Sequence, residues 1–371
     1  MITQSQYDVH FQAIRELYVK ISLLNKKLRK IDEIQGVALG GSIDINADSD
    51  IRRTCNLDIV VKDSSFLIGE DKKIWIDKRF KLEIGIKSFK TDEIIWFNMG
   101  IFCVDSPSLS YDANTKNLSL NGLDLMCLLN GDLGGELSNP VIINEETPIS
   151  EAIKNTAETL GDVKKLDVQD PDRTIPYRIE KDAGNTVYEL LAEIRDLYKD
   201  WEMFFTETGV FTYRRIKNRD NDPIAIDFTE IKQDLIKSYN IDKNFQNVKN
   251  KIVVYGEMMD DGSQAHVVKE NDDPDSPFST DKLGNIVKVV SGENIYTEDQ
   301  AETRANYELW KHNNLNERID IDCLPIYFLN ANRIIKIDKP EIEIEGRYLI
   351  DNLSIPLDIS GIMNISGYKI Y

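Results

Sequence analysis

Over most of the chain, apolar and polar residues alternate in runs of strand length. "CNLDIVV" (55–61), "FKLEIGI" (80–86), "WFNMGIFCV" (96–104) and "RIDIDCL" (318–324) alternate or run apolar, and each predicts a strand. Helical spacing interrupts this pattern at four places. Three begin with a threonine followed three residues later by Glu or Gln, the reciprocal cap that satisfies orphan N–H groups. Thr3…Gln6 predicts a helix with Tyr7, Phe11 and Ile14 on one face. Thr186…Glu189 predicts one with Val187, Leu190, Leu191, Ile194 and Tyr198 inward, and Thr297…Gln300 one carrying Ala301, Ala305 and Leu309. Thr147-Pro148 announces the fourth, with proline at the first helical position, apolar Ile149, Ile153, Ala157 and Leu160, and Gly161 as a stop.

After the Thr186 helix comes "DWEMFFTETGVFTYRR" (200–215). Trp201, Met203 and Phe205 alternate to one face, Gly209 offers positive φ to a turn, and "VFTYRRI" returns, which predicts a hairpin. Glu202 and Glu207 then fall on the opposite face or in the turn, where a solvated surface accounts for them. Two stretches read as loops rich in Asp, Pro, Ser and Gly: 167–176 and 258–284. Neither has the ligand spacing of a calcium-binding loop.

The chain also echoes itself. "GIFCVDSPSLSYDANTKNLSLNG" (100–122) aligns with "GRYLIDNLSIPLDISGIMNISG" (346–367). Gly100 falls on Gly346, Phe102 on Tyr348, Val104 on Ile350, Asp105 on Asp351 and Leu109 on Ile355, with one residue of slip before the closing glycines. Each copy follows another alternating strand, 79–86 and 333–339. The spacing predicts a duplicated β-meander.

Composition narrows the function. A chain of 371 residues is long for one core, and two to four domains are expected. Acidic residues outnumber basic ones, 64 to 45, for a net charge of −19. That surplus opposes sequence-specific nucleic-acid binding and docking on anionic membranes, both of which need cations. No apolar run is long enough to span a bilayer, and the first residues have neither a basic leader nor an apolar core, so synthesis and folding in a cytoplasm are expected. Cys55, Cys103, Cys127 and Cys323 form no CxxC pair and read as buried free thiols.

Candidate chemistry is sparse. His10, His266 and His312 have no Cys, Asp or Glu at ligand spacing on a shared face. There is no phosphate-binding Gly-rich loop and no nucleophile elbow. A glycosidase needs only two carboxylates, which 64 acidic residues supply by chance. No catalytic, cofactor-binding or metal-ligating residue is assigned, and an enzyme is not expected. The competing classes are a cell-wall-degrading enzyme and a monomeric β-rich binding module.

In order along the chain, the sequence resembles the tail hub proteins of tailed phages, ring proteins related to contractile-baseplate hubs and to the base of type VI secretion spikes. "MITQSQYD" resembles the family's N-terminal helix, and "GSIDINADSDIRRTCNLDIVV" (41–61) its first barrel, with "SDIRRTC" the most particular piece. "GNTVYELLAEIRDLYKDWEMFFTETGVFTYRR" is similar to its intermediate helix and hairpin; "KNKIVVYG", "DSPFST", "EDQAETRANYELWK" and the terminal meander resemble its second half. The resemblance implies an α+β, predominantly β chain with two similar small β-barrel domains and helical and hairpin material between them. The expected divisions are 1–125 (N-terminal helix and first barrel), 126–234 (helix-hairpin) and 235–371 (second barrel, with a loop-helix insertion at about 257–316). It further implies a homotrimer forming a pseudo-hexameric ring at the distal end of a virion tail tube. Such a ring joins the tube or distal-tail protein to a spike or fibre and lets DNA pass without binding it specifically. Many relatives continue past the second barrel; with the sequence ending at Tyr371, any lytic or spike function is expected from another chain.

Overall fold

Strands from both ends of the chain join one 14-stranded sheet. The computed structural model describes the chain except residues 1, 35, 62–66, 113–114, 218–220, 230–234, 260, 293, 315–316, 340–343, 359 and 371. After α1 (Gln4–Asp8) come β1 (Leu17–Leu24), β2 (Lys30–Glu33), β3 (Gly36–Asn46), β4 (Arg53–Val61), β5 (Arg79–Lys87), β6 (Ile94–Val104), β7 (Ser108–Asp112) and β8 (Thr115–Asp124). The middle holds β9 (Val141–Ile143), α2 (Ile149–Asn155), β10 (Leu166–Val168), β11 (Ile179–Lys181), α3 (Val187–Asp196), β12 (Trp201–Phe205) and β13 (Phe211–Arg215). Then follow β14 (Ile224–Asp227), β15 (Ile236–Lys243), β16 (Lys251–Met258), β17 (Gln264–Glu270), α4 (Thr280–Leu283), β18 (Val287–Ser291) and α5 (Glu298–Asn314). The last strands are β19 (Glu317–Cys323), β20 (Ile334–Lys339), β21 (Ile344–Pro356) and β22 (Met363–Ile370). The α+β, mainly β class expected from the sequence is the one observed.

Strand register carries the internal echo further than the residues did. Phe80 faces Phe102, and Ile335 faces Tyr348. Val104 faces Gly122 as Ile350 faces Gly367. On the other side of each glycine sit Cys55 and Ile319, which face Ile43 and Ile241 in turn. The runs β3-β4-β8-β6-β5 and β15-β19-β22-β21-β20 therefore share order and register. Even a bulge recurs at the same rung, between Ala38 and Gly40 in β3 and between Ile236 and Ser238 in β15. A one-residue slip would turn every later side chain to the other face, so matching bulges preserve the inward set in both copies.

The copies also differ. The first breaks its strand at Asp105 and restarts at Ser108, whereas Asp351 lies inside β21 at an irregular rung. β5 pairs antiparallel with β1, but β20 pairs parallel with β14. The two runs meet where β21 pairs with β3, Leu353 opposite Ile45 and Ile355 opposite Ile43. All four of these side chains lie in one hydrophobic cluster spanning both runs. Among the described residues no pairing closes either run on itself.

The middle segment has a separate core, with α2 and α3 packed on the β10-β13-β12 sheet. The Thr3, Thr186 and Thr297 caps all form as expected. Three helical details differ from the sequence expectation. Ile14 lies beyond the helix and is exposed. Pro148 caps α2 rather than opening it, and α2 passes into a π turn at 156–160 that leaves Leu160 on the surface. The stretch 258–284, expected to be loop, contains β17, which pairs with β16. With β18 and α5 these strands bury a small third core.

Candidate functional site

The hairpin has two buried faces. Met203 and Phe205 turn toward α3, as alternation predicts, and are almost fully buried; Trp201 at the strand's start is half-buried, stacked on Tyr213. The opposite face, carrying Glu202 and Phe204, was expected in solvent but is buried, with Glu202 4% exposed and Phe204 2%. Phe204 lies beneath two guanidiniums, Arg52 at 4.0 Å and Arg214 at 4.8 Å from its ring.

Glu202 has three donors. Arg52 Nη1 donates to its Oε2 at 2.6 Å, Asn332 Nδ2 to the same oxygen at 2.7 Å, and Arg214 Nε to Oε1 at 2.7 Å. These partners come from the turn between β3 and β4, from the segment before β20, and from β13. One carboxylate thus ties together the two sheet runs and the central hairpin. Burial by itself would raise its pKa, but Arg52 and Arg214 more than reverse that, and the group stays below the usual carboxylate range. A general acid needs the opposite shift. At 4% exposure, with both oxygens taken by protein donors, Glu202 acts as a structural clasp.

The neighbouring arginine extends the clasp. Arg53 Nη1 donates to the Phe205 carbonyl at 3.0 Å, and Glu207, 3.7 Å from Arg53 Nη2, is ion-paired rather than freely solvated. The Arg53 amide donates to Asp124 Oδ2 at 2.9 Å. Burial raises Asp124 to about 6 despite amide bonds from Met126 and Arg53. Both arginines belong to "SDIRRTC", so this stretch folds into the junction between segments.

The histidines do not converge. His10 is fully buried; its Nδ1 bonds the Gln6 carbonyl at 2.8 Å and its Nε2 accepts from the Tyr327 amide at 3.0 Å. Burial lowers it to about 3, consistent with a neutral ring latching the N-terminal segment to 327. His266 lies on strand β17, stacked on Tyr255, not in a loop. His312 ends α5 beside Glu308 and Lys288. All four cysteines are free and buried, as expected; Cys103 and Cys127 are hydrogen-bonded partners, and that bond together with burial raises Cys127. Among the described residues no group of His, Cys, Asp and Glu could hold a metal ion, and no helix is long and apolar enough to cross a membrane.

Residues 275–371 match a domain of unknown function, DUF5048. No curated protein sequence matches the chain. Solved structures do. A tail protein from Neisseria meningitidis MC58 is similar over 95% of this chain and 96% of its own, with 13% identity and TM-score 0.63. Prophage tail protein gp18 from Listeria monocytogenes EGD-e is similar over 94% of each chain, with 11% identity and TM-score 0.60. The E. coli c3393 protein, a type VI secretion component with structural similarity to T4 tail proteins gp27 and gp5, covers 96% of this chain and 76% of its own, at 7% identity and TM-score 0.52. The chain has the fold of phage tail proteins and of this secretion component, as its resemblance to tail hubs implied.

Proposed function

We propose that this protein is a structural tail hub. It forms a ring at the distal end of a virion tail tube, joins the tube or distal-tail protein to a spike or fibre, and lines the path by which DNA leaves. The supporting observation is the near end-to-end likeness to a tail protein from Neisseria and a prophage tail protein from Listeria. The two matched sheet runs favour a homotrimer that offers alternating similar units to a six-fold neighbour. In this reading 1–125 and 235–371 are the ring-forming segments, 126–234 fastens them, and the acidic surplus keeps the DNA path free of phosphate traps.

Imaging of intact tails and light scattering from the purified protein test the proposal. A ring of three copies at the tail tip is expected. A strict monomer in solution, together with absence from the tail tip, overturns it and favours a binding module. Cleavage of peptidoglycan by the purified chain would restore the enzyme class.

A further inference from the structure

The two sheet runs are equivalent rung for rung, yet only one of their two equivalent outer edges is covered within the chain. β3, at the outer edge of the first run, is covered by the C-terminal half of β21. The equivalent of β3 is β15, and the equivalent of that half of β21 is β7. Among the described residues β15 pairs only with β19, and β7 only with β8. We propose that β15 of one copy pairs antiparallel with β7 of a second copy, Ile241 opposite Leu109, repeating between chains the β3–β21 join made within one. This deepens the ring proposed above by naming its contact, and it rests on that reading.

Burial marks the missing neighbour. Ile43 and Ile355, opposite each other in the covered join, are both 0% exposed. Their equivalents Ile241 and Leu109 are both half-buried, each packed against the main core on one side. Large apolar side chains flank them: Tyr111 at the end of β7 is 63% exposed and Phe245, just past β15, is 72% exposed. β15 is otherwise exposed at most of its positions, as a strand awaiting a neighbour is.

The covered join also dictates the hydrogen bonds. The Leu357 amide donates to the Gly41 carbonyl at 3.1 Å and the Ala47 amide to the Asp351 carbonyl at 2.8 Å, so odd-numbered residues of β3 and β21 face each other's backbones. By equivalence the bonded rungs between copies are Ile241–Leu109 and Tyr239–Tyr111, and Ser110 sits across from Asn240 at a non-bonded rung. Pro107, with no N–H, stands where Leu353 stands in the covered join, so one bond is lost there. That proline and the charges of Lys237, Asp242 and Lys243 blunt the edges against arbitrary strands. Each copy offers one β15 and one β7, so the contact is head-to-tail, the kind from which a closed ring is built.

A disulfide reads the register directly. Ser110 and Asn240 are exposed and belong to no core, so cysteines there leave the fold intact. At a non-bonded antiparallel rung the Cα atoms lie about 4.5 Å apart, within disulfide reach. The Ser110→Cys/Asn240→Cys variant, oxidised at high salt, should run as covalent multimers on a non-reducing gel. Ser108→Cys/Asn240→Cys, shifted by two residues, should give at least about tenfold less, since the diagonal spacing is about 7–8 Å. Light scattering on the same samples separates the outcomes. Multimers without the cross-link, or equal yields from both pairs, overturn the register and leave the ring standing. A monomer without the cross-link overturns both.

Discussion

Glu202 accepts a 2.7 Å hydrogen bond from Asn332 although 130 residues separate them. That bond, with those from Arg52 and Arg214, makes the hairpin a fastening between distant segments. Glu202→Gln removes the charge and leaves two guanidiniums without their counter-ion. A loss of about 3 kcal/mol is expected in urea unfolding, as for other broken buried ion pairs. Glu207→Gln, at a side chain 41% exposed, should cost less than about 1 kcal/mol. Equal effects from the two changes would refute the clasp.

The equivalent glycines Gly122 and Gly367 are sites of close approach. A Cβ on Gly122 would lie 2.7 Å from Phe80 Cζ and 2.8 Å from Phe102 Cβ; on Gly367 it would lie 2.7 Å from the Leu349 carbonyl oxygen. Gly122→Ala and Gly367→Ala should each destabilise by about 1–3 kcal/mol through overpacking. Gly40→Ala, with nothing within 4 Å of its Cβ, is the control and should stay within about 0.5 kcal/mol. Thermal denaturation of the three variants decides whether both copies need the same gap.

His10 makes stability depend on pH. Its folded value, about 3, lies below the ordinary 6.5, so between those limits the unfolded chain binds a proton that the folded chain refuses. This contribution is fully present above 6.5 and is lost as pH falls toward 3, at up to about 1.4 kcal/mol per pH unit. Asp124 acts in the opposite sense: raised from 3.8 to about 6, it favours the folded state as pH drops through that window. His10→Gln should therefore lose less stability than the parent between pH 7 and pH 5. Parallel denaturation curves at both pH values would contradict this.

The proposed assembly should respond to salt. A chain of charge −19 repels its copies, and screening weakens that repulsion. The mass from light scattering should rise from low to high salt. A fall would mean that attractive charge pairs, rather than apolar edges, hold the contact.

Much of the fold was legible because its signals are local. Capping threonines fixed three helix starts, and alternation placed β4, β5, β6 and β19. β17 is hard to read from sequence because its "QAHVVKE" lies among Asp, Pro, Ser and Gly and exposes every other residue. The burial of Glu202 is not legible in the sequence because two of its three partners, Arg52 and Asn332, sit far away in sequence. One local clue existed: Phe204 shares a face with Glu202, and a solvated face has no use for a phenylalanine. In sequence the echo is legible only over the meander because β3 and β15 share little besides their alternation; the matching bulge is visible only in the pairing.

The β3–β21 join also constrains the order of events during synthesis. β3 emerges from the ribosome early, but its partner residues 352–356 follow some 300 positions later. At about 5–20 residues per second, that leaves on the order of 15–60 s in which the Ile43 edge is uncovered on the nascent chain. The second sheet run cannot finish until β22 has been made, and the first, whose own strands are complete by Asp124, keeps its β3 edge bare until β21 arrives; the Glu202 fastening waits a shorter time, for Asn332 lies 130 residues on. The first run thus carries a bare edge through most of synthesis, and while it waits that edge is a natural client for chaperones.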